Sequence, residues 1–461
     1  VSNPLLPEAP GRRVLPASYL GDASLIHADG SGRFTPALAS AWQTSDGRTW
    51  TFTVRDGLRT HGGEPLTATR IRDLLRAGLS DLPGGPHGPV TRDVQRIDSP
   101  TPGTLVLQLA RPTHSALLEL LAGARIAGPA EQTAYSGPFR LTRETADQMD
   151  YAAFPDAWSG PATIAGLRVR FFSSPRGAWA ALLRNDADLL WDVPPDAIPS
   201  LAQNPDVRLI DNTSWYTFTL GFRLRHPLLR DARVRQALNL AIDREAIARR
   251  FFGEYSQPAV GPFSPGYWAA AGAAAPWRYD PAAARALLKA ATGGQTRPIE
   301  LVCITSNQFP VPAAMAAAIA AQLELVRVRL RLVTVSLDEF NRRVSQGDYD
   351  VWASPMTTSV SGLWPYTFWR SQQPHPILDS GYRAADAILD AFYAAGTPEE
   401  ERAGARAVLD VMRRDPPAAF IATVPNLRAA RRTWRVPPDD VAITRALPRW
   451  TLIEPAPCGA P

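Results

Sequence analysis

The chain has 461 residues and a mass of 50.1 kDa, with 45% hydrophobic and 20% charged residues, a globular composition too long for one ordinary core and unlike that of a disordered chain. The formal charge is +5 and the isoelectric point about 9.4, yet both signs are spread along the sequence, so the expected surface is solvated and nucleic acid is not an expected partner. No apolar run reaches membrane-spanning length, and the two cysteines, Cys303 and Cys458, lack the close spacing of a zinc or redox motif.

In chain order, Trp50–Val54 alternates as a strand, Asp56 and Gly57 mark a turn, and Leu66 and Thr67 open a helix to about Leu79. Leu105–Leu109 reads as a strand, Ala116–Ala122 as a short Leu-rich helix, and Gly137–Leu141 as extended. Leu167–Phe172 alternates, Ala178–Arg184 is helical, and Asp188–Asp192 is a short buried strand. Trp215–Phe222 is the next strong strand. In the segment 231–244, Val234, Ala237, Leu238, Ala241 and Ile242 recur at spacings of three and four, which predicts a buried helix face with Asp231 as its N-cap. Arg233, Arg235 and Arg244 are expected toward the outside or the helix ends.

Farther on, Asp280 and Pro281 cap a helix over Ala282–Ala291, and strands at Pro298–Thr305 and Val328–Val335 flank an Ala-rich helix over Pro312–Leu325. A helix over Leu337–Gln346, a strand at Tyr349–Ala353 and helices over Tyr382–Ala395 and Pro398–Asp415 follow. Strands alternating with helices imply an α/β chain, and the absence of repeats or low-complexity linkers implies packed lobes joined by strands. Cys303 falls in a buried strand, and a disulfide to Cys458 stays open as chemistry allowed outside the cytoplasm. His61, between a threonine and two glycines, reads as a loop hydrogen-bonder. Starting at Val1 without a charged-then-apolar leader, the chain is expected to be a processed export product or a trimmed one.

Five landmarks run in order along the chain: Pro36-Ala-Leu38-Ala39-Ser-Ala-Trp42; Thr60-His61-Gly-Gly63-Glu-Pro65-Leu66-Thr67-Ala68; Ser136-Gly137-Pro138-Phe139; the segment from Asp231 to Arg244; and Tyr279-Asp280-Pro281 with Ala284, Leu287 and Leu288. Together they resemble extracytoplasmic solute-binding protein family 5, the substrate-binding proteins of peptide and nickel ABC importers. The resemblance implies a two-lobed periplasmic-binding-protein fold, type II-like, with an extra subdomain on the first lobe. Lobe I would hold residues 1–216 and 433–461, with an inserted subdomain at about 45–165, and lobe II residues 217–432. Hinge strands would lie near 215–222 and 428–435. Such a chain closes around a solute and is read by a membrane permease as a population shift, with no chemistry on the solute and no cofactor. A monomer, periplasmic or otherwise extracytoplasmic, with or without a lipid anchor, is the expected form.

The resemblance also nominates solute-lining residues: Arg125, Tyr19, Trp215, Tyr216, Met356, Ser361, Trp364, Tyr366, Trp369 and Arg370, with Ser18 and Asp22 near the same wall and His375 at the place where nickel-chelate binders present a metal ligand. Peptide-binding members place an aspartate in the stretch that corresponds to Tyr349–Arg370, and here no carboxylate follows Asp350. A metal chelate or other anionic small molecule is therefore the expected solute, with a peptide or opine-like solute as the alternative. The spacing of Trp364, Tyr366 and Trp369 fits no single face, which predicts a loop. An enzyme is not expected, since nucleophile-elbow, zincin and Walker motifs are missing. Two further readings stay open: the sensing domain of a transcriptional regulator, and a fold whose solute binding has been lost.

Overall fold

Trp50, Phe52 and Val54 point inward from the strand Thr49–Val54, as their alternation predicts. That strand joins Ala39–Thr44, Thr104–Leu109 and Val94–Thr101 in a four-stranded antiparallel sheet. The helices Ala68–Ser80 and Ala116–Gly123 add Ile71, Leu75, Leu117 and Leu121 to the same core. A three-stranded meander, Phe139–Glu144, Gln148–Ala153 and Gly166–Arg170, follows. The computed structural model describes residues 20–21, 23–29, 31–80, 88–124, 126, 135–294, 297–308, 310–371, 381–436 and 450–452.

The largest sheet has, in spatial order, Leu189–Leu190, Ala418–Arg431, Val207–Phe222, Val351–Thr357, Ile299–Ser306 and Val328–Val335, with Gln257–Pro258 also paired to Ala418–Arg431. Two of these strands are exceptional in length, at 16 and 14 residues, and run antiparallel from Val207 opposite Arg431 to Gly221 opposite Ala418. Their register shifts between Asn212 and Trp215. On the near side of the shift, Ala429 and Ala430 pair with Leu190 and Leu189. Beyond it, Tyr216–Phe222 pairs with Val351–Thr357. The chain thus forms two assemblies that share one pair of strands. In the second, Ile299–Ser306 and Val328–Val335 are parallel and are connected by the Ala-rich helix Pro310–Glu324, whose Met315, Ala316, Ile319 and Leu323 are buried.

Most predicted elements occupy their predicted places, the helix Leu337–Gln346 with the predicted bounds. The strand predicted at Trp215 begins earlier, at Val207; the polar run Asp211-Asn-Thr-Ser214 breaks the apolar pattern inside it. Cys303 is buried in its strand, a free thiol that burial pushes up to about 12. Cys458 and the weak strand expected at Arg12–Leu15 lie outside the described residues.

The segment 231–244 departs from expectation in one respect. It forms two helices, Ala232–Leu240 and Arg244–Phe252, with Asp231 accepting from the Arg233 N–H and Asp243 from the Ala246 N–H. The predicted apolar face is buried, but so are Arg235 and Arg244, each 2% exposed, while Arg233 stays outside. The reason is backbone hydrogen bonding. Arg235 donates to the Pro416 carbonyl at 2.9 Å and pairs with Asp415; Arg244 donates to the Phe420 carbonyl at 2.6 Å and to Asn239 O and Oδ1 at 2.8 and 2.6 Å. Asn239 reaches the Ala418 carbonyl at 3.3 Å. These groups grip the start of the returning long strand, and burial without a carboxylate partner brings Arg244 down to about 9, still protonated at neutral pH.

Arg244→Ala is expected to lower stability by about 3 kcal/mol or more, because the buried acceptors it serves lose their donor. A urea unfolding curve with a lower midpoint and an unchanged slope is the expected record; an unchanged midpoint would show that the guanidinium does not hold the strand.

Candidate functional site

The lobe-joining strands end beside the stretch nominated from sequence, Met356–Arg370. It is not a loop. After the strand Val351–Thr357 the chain turns through Ser359 and Ser361 and enters a helix, Leu363–Trp369, every residue of which is buried. A helix enclosed on all sides shows no polar face, so periodicity had nothing to register. Trp364 stacks on Phe368 at 5.2 Å, Tyr366 on Tyr393 at 4.4 Å, and Trp369 meets Phe420 edge-on at 5.8 Å. Met356 is buried on the same side of the sheet as Phe420. Arg370 is committed to Asp390, with bonds of 3.1 and 3.2 Å. Tyr216 is half-buried opposite Thr357 and Val424, and Trp215 stands opposite Pro425, its side chain undescribed. Tyr19, Arg125 and His375, with Ser18 and Asp22, lie outside the described residues.

Two polar clusters join this helix and the turn before it to the first assembly, and of their members only Ser361, Trp364 and Tyr366 are among the residues nominated from sequence. In one, Arg111 follows the strand Thr104–Leu109 and holds Asp93 through Nε at 3.1 Å and Nη2 at 2.9 Å, while Nη1 donates to the Tyr366 hydroxyl at 3.1 Å. The Tyr393 hydroxyl donates to the same Asp93 carboxylate at 2.7 Å, and the guanidinium lies 4.6 Å from the Tyr393 ring. Burial alone would lower Arg111; its bonds to Asp93 and Tyr366 outweigh that and raise it.

In the second cluster Glu401, 1% exposed on the helix Pro398–Arg414, meets His114 Nδ1 at 2.8 Å and accepts from Ser115 at 2.7 Å and from the Tyr267 hydroxyl. Burial, then the Glu401 charge, pushes the Tyr267 phenol up. Glu119, on the helix Ala116–Gly123, accepts from the Ser361 hydroxyl, the Val360 backbone and the Trp364 side chain. Burial drives the Glu119 carboxyl up to about 7. The available signal for Glu119 is a lone carboxylate inside Ala-Leu-Leu-Glu-Leu-Leu; for Arg111 there is none.

His61 is a buried hydrogen-bonder, its Nε2 donating to the Gly137 carbonyl at 2.9 Å, and burial lowers its pKa. Among the described residues no three His, Cys, Asp or Glu side chains are grouped to hold a metal ion.

The family model described as bacterial extracellular solute-binding proteins, family 5 Middle, matches residues 33–374. The chain is 26% identical over 371 residues to di/tripeptide-binding protein 2 of Pseudomonas aeruginosa, covering 73% of this chain and 70% of that one. It is 25% identical over 332 residues to a probable D,D-dipeptide-binding periplasmic protein of Escherichia coli, covering 68% of this chain and 63% of that one. Among solved structures, NikA from Brucella suis in complex with Fe(III)-EDTA superposes with a TM-score of 0.83 at 17% identity, over 98% of both chains. A periplasmic binding protein from Helicobacter pylori in complex with the peptide STSA gives 0.77 at 18% identity, over 97% of this chain and 95% of that one. The fold is that of the two-lobed periplasmic binding proteins, and no helix among the described residues is long and apolar enough to cross a membrane.

Trp369→Ala is expected to cost about 3–5 kcal/mol of stability, as removal of a buried aromatic does, and to leave solute affinity of the folded protein within about twofold. Calorimetry with thermal unfolding on the same sample checks both; a lost affinity at unchanged stability would return Trp369 to the cleft.

Proposed function

The chain belongs to the bacterial extracellular solute-binding proteins of family 5, and we propose that it is the capture component of an ABC importer, closing two lobes around a small solute and presenting the closed form to a membrane permease. The observation that carries this reading is the shared strand pair, because two assemblies joined by two adjacent strands can rotate about them with little else to break. We put the hinge at the register shift, Asn212–Trp215 opposite Asn426 and Pro425. In this reading lobe II ends near residue 426, short of the 432 expected from sequence, since Ala429 and Ala430 pack with Val207, Leu190, Phe139 and Leu20 of the first assembly. The extracytoplasmic location follows the family.

For the solute we favour an anionic small molecule or a metal chelate carried as cargo. Support comes from the stretch Thr357–Arg370, which has no carboxylate to receive an ammonium group, and from Arg125, a fork suited to carboxylates. Its neighbour Ile126 donates its N–H to the Ala23 carbonyl at 3.0 Å. His375 remains the proposed metal contact from lobe II. A peptide solute is the second reading, favoured by the names of the Pseudomonas and Escherichia relatives.

Native mass spectrometry of the purified protein with metal analysis of the same sample tests the assignment. A bound mass with stoichiometric metal establishes a chelate carrier, a metal-free peptide mass establishes the second reading, and a protein that binds neither chelates nor peptides nor small anions in titration overturns both. Arg125→Ala is expected to weaken an anionic solute by about 2 kcal/mol, roughly 30-fold, with folding intact; unchanged affinity removes Arg125 from the site.

A further inference from the structure

Glu119 and the turn that receives it belong to different assemblies, and the Ser361 hydroxyl joins them. We propose that this contact is a proton-gated clasp: the Glu119 carboxyl, carried by the first lobe, docks on the Val360–Trp364 turn of the second, and closure is favoured when that carboxyl is protonated. The proposal rests on the two-lobe reading given above and is independent of which solute is bound.

The receiving turn is held by hydrogen bonds of its own. Ser359 Oγ donates to the Ser361 carbonyl at 2.7 Å and accepts from the Ser361 N–H at 3.2 Å, while Ser361 Oγ accepts from the Leu363 N–H at 3.0 Å, which leaves the Ser361 hydroxyl hydrogen for Glu119. Gly362 has no room for a side chain: a Cβ there would stand 2.9 Å from the Phe392 carbonyl oxygen. The Val360 N–H and the Trp364 side chain complete the set of donors. All three are neutral.

Among the described residues, the charged and titratable groups around the clasp do not supply a cation. From the helix Pro398–Arg414 comes Glu401, a like charge that opposes ionisation of Glu119. Tyr267, from the segment before residue 270, spends its hydroxyl on Glu401. From the turn preceding the helix Ala116–Gly123, His114 faces Glu401. The nearby Arg111 is held by Asp93 and Tyr366. Burial and then the Glu401 charge therefore hold Glu119 near 7, against the ordinary glutamate value of 4.5 that it would regain when the lobes part.

The sign follows by linkage. Below the open-state value both forms carry the proton and pH has no effect. As pH rises from there through about 7, the open form releases its proton first, and closure loses ground until the closed form ionises too. Glu119 is only half-buried as a whole, so water screens part of the effect, and the closing constant is expected to fall on the order of tens of fold across that window.

Small-angle X-ray scattering of the solute-free protein between pH 5 and pH 8.5 tests this. The wild type is expected to expand as pH rises, and Glu119→Gln, which keeps the shape of the protonated group, to remain compact throughout. The His114–Glu401 contact is present in both, so the difference reports Glu119. Ser361→Ala removes a donor that favours the charged form and should move the wild-type transition to higher pH, which keeps the test alive if the first variant folds poorly. A wild type whose dimensions ignore pH, or a Gln variant with the wild-type transition, overturns the clasp. Either result leaves solute capture untouched, since no solute is present.

Discussion

The pairing of Val207–Phe222 with Ala418–Arg431 is the constraint on which the remaining structure depends. The first assembly hangs its short strand Leu189–Leu190 on one end of that pair, and the second hangs Val351–Thr357, and through it the parallel unit, on the other. Because the two strands are antiparallel neighbours, the chain returns to the first assembly where it left. The returning strand must therefore be held in one register, and Arg235, Asn239 and Arg244 do this by hydrogen-bonding the carbonyls of Pro416, Ala418 and Phe420. Alternate carbonyls from one edge are captured by side chains instead of by another strand. The helices of the segment 231–244 are thus less a surface feature than a clamp on the start of the returning strand.

In the proposed reading, with the hinge at the register shift, closure is decided by the seam between the assemblies. Apolar side chains from both sides share one buried cluster, including Leu25, Trp50 and Leu121 from the first and Phe263, Leu363 and Phe392 from the second. Alone, such a seam would favour permanent closure. A binder needs the two forms near balance, so that a solute's differential affinity decides between them. The polar clusters at Asp93–Arg111 and at Glu119–Glu401 serve that balance: their groups are well solvated when the lobes part and must be partnered one by one when they meet. The first is charge-matched and demands geometry; the second brings two carboxylates together and opposes closure directly.

How much of this was legible follows from the range of each interaction. Alternation in Thr49–Val54 and the spacing of Phe340 and Val344 in Leu337–Gln346 are local, and those elements were read with their bounds nearly right. The two-lobed architecture was legible from five ordered landmarks. The buried arginines were not, because a helical wheel sends arginine outward by default, and their acceptors lie about 180 residues away. The Leu363–Trp369 helix was missed because it is buried all round. Glu119 was invisible for the same reason as Arg235: its partner Ser361 lies 242 residues along the chain, and only the fold brings them together.

The burial of Leu363–Trp369 also bears on where recognition resides. Tyr366 is spent on Arg111 and Tyr393, Trp369 on Phe420, and Arg370 on Asp390, so lobe II's aromatic run is core and clasp more than wall. In the proposed reading, chemical selection then shifts toward the hinge strand at Trp215 and Tyr216 and toward lobe I at Tyr19 and Arg125. A lobe that contributes shape and a lobe that contributes charge divide the task in a definite way. In that reading the cationic group selects the solute while the cleft is still open and wet, and the apolar lobe then excludes water and raises the strength of the contact already made. A binder arranged in this order discriminates at encounter and commits on closing.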